Sequence, residues 1–263
     1  MDHQDHSTIA LLNEDLFGEH DAILYYLTHA WTVARQYGHQ ILEIANDEMR
    51  HFKWLGHTIT QLGGTPDLST PKINPTLDIQ AALKKDVAAE IHAIDQYQTH
   101  IEMISKDSVK ALLQRIVVDE RDHLRQFQEL LDQTHGEPEP NTHDDKEITE
   151  IAQRLQTTVH LEYQQMMAYL LQSFMKDHHP PLGMDMEERS VDEMHHMGWL
   201  AKRMGSLGIT PTFPKYQQET IQHGEDQETL VYQDMRNWAV HTMPSLVPVI
   251  DRIIAQEDYH AHS

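Results

Sequence analysis

The sequence predicts an all-α protein made of two tandem four-helix bundles, each with a long crossover between its second and third helices. Three observations predict it. Glu-x-x-His occurs at Glu48/His51, Glu120/His123, Glu193/His196 and Glu257/His260, and no other Glu has His three residues on. Each copy interrupts an apolar stripe of helical period: Glu48, for instance, has Ile41, Ile44 and Ala45 behind it and Phe52 and Leu55 ahead. The pattern then repeats. Glu19 to Glu48 is 29 residues and Glu162 to Glu193 is 31, while Glu90 to Glu120 is 30 and Glu228 to Glu257 is 29.

Taken in order, Ser7 and Thr8 offer a cap for a first helix to about Tyr37, with Leu12, Leu16, Ile23 and Tyr26 on one side and Glu19 within that stripe. Gly38 interrupts, and a second helix runs to the Gly63-Gly64 stop. Residues 65–76 carry three prolines and read as an extended crossover. A third helix, about Leu77 to Ser105, turns Leu83, Val87, Ile91, Ile94 and Tyr97 inward around Glu90. Asp107 or Ser108 caps a fourth helix through Leu131, in which Leu113, Val117, Leu124 and Phe127 flank Glu120.

Residues 136–145, GEPEPNTHDD, read as a linker, so the domains are expected at 1–137 and 138–263. Leu155, Val159, Met166 and Tyr169 surround Glu162 on a fifth helix ending near Asp177, broken by His178-His179-Pro180-Pro181. The sixth, about Met184 to Leu207, stops at Gly208. A second crossover, Thr210 to Lys215, leads to a seventh helix with Glu228, Val231, Tyr232 and Met235. Glu225 is an alternative to Glu228, which is preferred because its distance to Ser245 copies that from Glu90 to Ser108 within one residue. Ser245 can cap the shortened eighth helix, which carries Glu257 and His260.

Composition removes several classes of function. The 263 residues hold 42 acidic against 20 basic side chains, a formal charge of −22, which argues against nucleic acid or an anionic membrane as partner. The absence of cysteine excludes disulfides, zinc–thiolate sites, iron–sulfur clusters and thiol catalysis. No run approaches the ~18 apolar residues of a membrane span. The acidic start is unlike a secretory signal, so a cytoplasmic location is expected.

A carboxylate in an apolar interior is protonated, paired or bound to metal. Each half offers one Glu from each of two helices and a Glu-x-x-His from each of the other two, the ligand arrangement of di-iron and di-manganese carboxylate bundles. Two divalent cations would cancel four carboxylates, and oxygen with imidazole suits iron or manganese.

Both halves resemble the ferritin-like superfamily, and the first is especially similar to bacterioferritin. EHDAILYYLTHA, DEMRH, LKKDVAAE and DERDH carry the likeness over residues 8–132, and LEYQQMMAYL, DEMHH and QEDYH carry a looser one in the second half. The resemblance implies two ferritin-like bundles with two iron ions each, manganese being the alternative. Glu19 and Glu90 would be terminal ligands, Glu48 and Glu120 bridges, and His51 and His123 would take one metal each. Glu162, Glu228, Glu193, Glu257, His196 and His260 would correspond. The implied reaction is oxidation of Fe(II) by oxygen or peroxide, a ferroxidase. A di-manganese catalase, a rubrerythrin-like peroxidase with a separate donor, or a non-enzymatic metal buffer or scaffold are the alternatives.

Tyr26 and Tyr169, each seven residues after a terminal ligand, are the candidate catalytic tyrosines. Asp47, Asp119 and Asp192 precede bridging residues and are placed to orient ligand histidines. Met49 and Met194 stand where bacterioferritin places its axial haem ligand, which makes haem a candidate cofactor. The likeness ends in two places. No fifth helix of the cage-forming kind follows either bundle, so a homo-oligomer other than a 24-subunit cage is expected. A chain without cysteine also cannot carry the cysteine-ligated iron domain of rubrerythrins. The two halves are expected to differ in affinity, because only three residues follow His260 and a terminal turn frays.

Overall fold

The computed structural model describes residues 3–33, 36–134, 145–175, 180–218 and 221–262. The expected linker, apart from its last residue, and the expected His178-His179 break lie outside them. The described residues form eight α-helices and one 3-10 turn, with no strand. The chain divides into two compact units, Met1–Pro140 and Asn141–Ser263.

The first unit contains α1 (His3–Thr32), α2 (Gly38–Gln61), α3 (Ile79–Met103) and α4 (Asp107–Gln133). The second contains α5 (Asp145–Met175), α6 (Pro180–Ser206), α7 (Ile221–Thr242) and α8 (Val247–His262), with the 3-10 turn Pro244–Leu246 before α8. Within the first, α1 packs on α2 and α3, and α4 on α3 and α2, closing a four-helix ring; α5 to α8 repeat the same pairings. Leu12, Leu16, Ile23, Leu24 and Leu27 of α1 are fully enclosed. Each such side chain contributes on the order of 1.5–3 kcal/mol of apolar burial.

Several boundaries differ from the sequence reading. α1 starts upstream of Ser7, with Asp5 in its first turn, and ends at Thr32, whose hydroxyl donates to the Thr28 carbonyl at 2.7 Å. α3 is capped by Asp78, whose carboxylate accepts from the Ala81 amide at 2.6 Å. Asp107 is the first residue of α4, not its cap. α6 begins at Pro180, ahead of the expected Met184, since the first helical positions need no amide donor. Ser245 lies in the 3-10 turn rather than capping α8.

Ile91, expected inside, is 52% exposed. The inner face through Glu90 is continued by Asp86, Tyr97 and His100, all buried, and Ile91 lies about 100° round from it.

The two helices that carry the first Glu-x-x-His of each unit stop by one device. Gly63 and Gly208 take positive φ values of 80° and 72°. The amides of Gly64 and Ile209 then reach back to the Ile59 and Met204 carbonyls, both at 2.9 Å. Among the described residues no helix is long and apolar enough to cross a membrane.

Candidate metal centre

In the first unit all four helices send acidic side chains to one interior point. Glu19 comes from α1, Glu48 and His51 from α2, Glu90 from α3, and Glu120 and His123 from α4, every one buried. They make two overlapping groups, Glu19/Glu48/His51/Glu120 and Glu48/Glu90/Glu120/His123, with the ligand atoms of each within 4.8 Å of one another. Glu48 and Glu120 belong to both.

Each imidazole presents Nδ1 to this centre. His51 Nδ1 is 2.9 Å from Glu120 and 3.1 Å from Glu48, and His123 Nδ1 is 2.9 Å from Glu48. Their Nε2 atoms face away, His51 to Asp119 at 3.2 Å and His123 to Asp47 at 3.4 Å. The Asp before each shared glutamate thus orients the histidine of the opposite helix.

The tyrosines are also exchanged between helices. Tyr26 of α1 donates to Glu90 of α3 at 2.7 Å, and Tyr97 of α3 donates to Glu19 of α1. Sequence reasoning placed Tyr97 only in the core. Two further buried pairs join α1 to α3: His29 Nδ1 lies 2.8 Å from Asp86, and His100 Nδ1 lies 2.8 Å from Asp15. None of these four was singled out from the sequence. The available signal was the pattern Asp-x3-Glu-x6-Tyr-x2-His, which runs from Asp15 to His29 and again from Asp86 to His100.

The donor set fits a pair of divalent cations. Glu19 and Glu90 each give one oxygen to a tyrosine and leave the other, Glu19 Oε2 and Glu90 Oε2, enclosed with no directed hydrogen bond. Glu48 Oε1 and Glu120 Oε1 likewise make no well-directed hydrogen bond, their close neighbours being His123 Nδ1 and His51 Nδ1 at 2.9 Å. So many enclosed acceptors would be costly unless something positive lies among them.

Electrostatics say the same. Burial pushes the Glu19 and Glu90 carboxyls well up, and repulsion from Glu48 adds to it. Burial also pushes Glu48 up, but His123 and His51 outweigh it and hold that carboxyl below its usual range. Burial opposes a charge on His51 and His123, yet the carboxylates around them, led by Glu19 and Glu48 respectively, raise both imidazoles. Protons therefore balance the charge in the protein alone, and metal ions would displace them. A cavity of about 460 Å³ between α1 and α3 reaches Glu19, Glu48, Glu90 and Glu120, with Gly18, Ala22, Ala89 and Ala93 among its walls.

The second unit gathers Glu162, Glu193, His196 and Glu257 into a group of the same kind, the only such group among its described residues. His196 Nδ1 is 2.9 Å from Glu257, 3.1 Å from Glu162 and 3.2 Å from Glu193. His260 stands further off, 3.6 Å from Glu257 and 3.7 Å from Glu193, with Nε2 held by Asp192 at 3.2 Å. Glu228 is buried and adds to the repulsion on Glu193 but joins no such group.

Tyr232 donates to Glu162 as Tyr97 does to Glu19. Tyr232 lies seven residues after Glu225, and Tyr97 seven after Glu90, so this register aligns Glu225 rather than Glu228 with Glu90. The Glu225 side chain lies outside the described ones. Tyr169 sets its ring edge towards the His260 ring, 6.3 Å between centroids. Met49 and Met194 are buried, each in its own unit.

The family model for the ferritin-like domain matches residues 9–136. No curated protein matches the chain. Among solved structures, a ferritin-like diiron-carboxylate protein from Bacillus anthracis str. Ames is 28% identical with a TM-score of 0.46, over 50% of this chain and 99% of that one. A bacterioferritin from Mycobacterium tuberculosis is 24% identical with a TM-score of 0.45, over 48% of this chain and 84% of that one. With the family match covering all of the helices that converge on the first site, residues 9–136 are a ferritin-like domain.

Proposed function

We propose that the first unit is a dinuclear iron centre that oxidises Fe(II) with dioxygen or peroxide, and that the second is a ferritin-like bundle of related design. The observation that carries this reading is the pair of four-residue groups sharing Glu48 and Glu120. When bound there, two irons would supply the two electrons that reduce the oxidant, each passing from Fe(II) to Fe(III).

The remaining work belongs to the chain. Glu48 and Glu120, which belong to both groups, would serve both metal positions, with Glu19 and His51 completing one and Glu90 and His123 the other. Asp119 and Asp47 contact Nε2 of His51 and His123, which keeps each Nδ1 turned towards the carboxylate cluster. Tyr97 and Tyr26 fix one oxygen each of Glu19 and Glu90 and so aim the second inward. The cavity between α1 and α3 gives a small oxidant a way to the carboxylates.

The test is anaerobic loading of the metal-free protein with Fe(II), then admission of oxygen or peroxide, following Fe(III) formation and oxidant consumption. Glu48→Ala with Glu120→Ala in the same chain is expected to lose most of the fast oxidation, since each residue serves both positions. Oxidation at the unsubstituted rate in that variant would overturn the assignment.

A further inference from the structure

We propose that the cavity between α1 and α3 of the first unit binds a small neutral aromatic molecule bearing a hydroxyl group, a phenol in chemical class. Its ring would lie between the two helices and its O–H would donate to Asp15. This goes beyond the oxidation of Fe(II), and Asp15 is not among the candidate metal ligands.

Size is the first argument. The cavity holds about 460 Å³. Dioxygen or peroxide needs about two waters' worth of space, roughly 60 Å³, whereas an apolar cavity of about 150 Å³ takes benzene. The space therefore exceeds the needs of an oxidant several-fold and suits a substituted ring.

The chain keeps this gap open. Gly18 and Ala22 on α1 and Ala89 and Ala93 on α3 line it, each pair four residues apart and so on one side of its helix. Packing does not call for the glycine. Its φ is not positive, and beyond its own helix an added Cβ would come no nearer than 3.9 Å to a neighbour, Gln96 Nε2. Glycine within a helix is less stable than alanine, so its presence here favours the opening. With Glu162 aligned on Glu19, Leu161 and Gln165 stand at these two places in the second unit.

The second argument is a buried acceptor. Asp15 lines the cavity and is 1% exposed. Its Oδ1 accepts from Gln96 Nε2 at 2.9 Å and lies 2.8 Å from His100 Nδ1, while Oδ2 is enclosed with no hydrogen bond. Such an oxygen is costly to leave unpaired, and a ligand hydroxyl would satisfy it. Tyr25, Tyr26 and Tyr97 complete the walls and offer apolar ring surface.

Charge narrows the class. Asp15, Glu19, Asp21 and Glu90 disfavour an anion, and the lysine in the walls, Lys85, already donates to the Asn74 carbonyl at 2.6 Å. Asp15 and Asp86 are matched by the imidazoles of His100 and His29, which leaves a hydrogen-bond acceptor rather than a free negative charge.

The experiment follows 4-fluorophenol by fluorine NMR with the full chain, first without metal. Saturable broadening is expected, with fluorobenzene, which lacks the hydroxyl, binding about tenfold more weakly and 4-fluorobenzoate not at all. Ala22→Leu with Ala93→Leu fills the space and should abolish binding. Asp15→Val with His100→Met removes the acceptor together with its partner and should bring 4-fluorophenol down to the level of fluorobenzene. Binding should persist after loading with Zn(II). No saturable binding, binding that survives the two leucines, or tighter binding of 4-fluorobenzoate or 4-fluorobenzylamine would overturn the proposal. So would an undiminished preference for the phenol without Asp15, or loss on Zn(II) loading, which would put the ring in the ions' place. If the two-leucine chain does not fold, Gly18→Leu takes its place under the same criterion; if the Asp15 variant does not, the comparison with fluorobenzene decides. Since binding is read first without metal, its failure is distinct from failure of the iron reading.

Discussion

In the first unit Asp15 faces His100 and His29 faces Asp86, two buried carboxyl–imidazole pairs that join α1 to α3 beside the clustered glutamates. With Glu162 aligned on Glu19 and Tyr232 on Tyr97, the second unit has Thr158 for Asp15, Met235 for His100 and Gln172 for His29. Both Thr158 and Met235 line one cavity there, so neither the acid nor the imidazole of the first unit has a counterpart at that place. The partner of the first histidine has changed too. Asp119 holds His51, but Gln256 holds His196, at 3.3 Å. The clustered glutamates and histidines recur in both units, whereas the pairs beside them do not. A coordinating carboxylate has few substitutes, whereas a supporting pair can be exchanged for packing provided both partners go.

That contrast can be broken first where the effect is largest. His100→Met alone leaves the Asp15 carboxyl enclosed opposite a thioether and is expected to cost about 3–5 kcal/mol. Asp15→Thr with His100→Met, which copies the second unit, should cost clearly less. Hydrogen exchange of the α1 and α3 amides reads both, and a double variant worse than the single would show that the pair is not the unit of exchange.

Next come the tyrosines. Tyr97→Phe removes the donor to Glu19 and should weaken metal binding in the first unit about 10–100-fold, with Tyr232→Phe doing the same to the second through Glu162. Metal titration by calorimetry, with the other unit's ligands removed, checks each. Gln256→Asp restores the charged partner to His196, and a gain of about tenfold in the second unit's affinity is expected. No gain would mean that the amide already orients the ring as well as a carboxylate.

The smallest effect is in proton release. The His51 and His123 imidazoles are held above their ordinary value, so both are charged near neutral pH without metal and must lose a proton to coordinate. Affinity should therefore rise with pH. Each unit should likewise release protons as it takes up metal, as measured by calorimetry in buffers of different ionisation heat. Binding without proton release would show that the imidazoles are neutral in the metal-free protein.

Much of this was legible in the sequence because a carboxylate on an apolar stripe is conspicuous. Glu48 among Ile41, Ile44, Ala45, Phe52 and Leu55 has no bland solvent-facing explanation, and the positive-φ glycines marked the ends of α2 and α6. Asp86 and His100 were not legible, since alone each looks like a residue for the wet side; Ile91 was assigned inside in their place. Their burial makes sense only with Asp15 and His29 across the seam, and that adjacency is a property of the fold.

The crossing of the tyrosines has a consequence for how the site comes into being. The α1–α2 hairpin carries Glu19, but the hydroxyl that aims it is Tyr97, on the other hairpin; Glu90 waits in turn for Tyr26. Neither hairpin therefore contains a working half. Each holds the key to the other's lock, and the centre closes only when the two have docked. A metal ion arriving then reports on a completed assembly and acts as its clasp, favouring the docked state by its own binding energy.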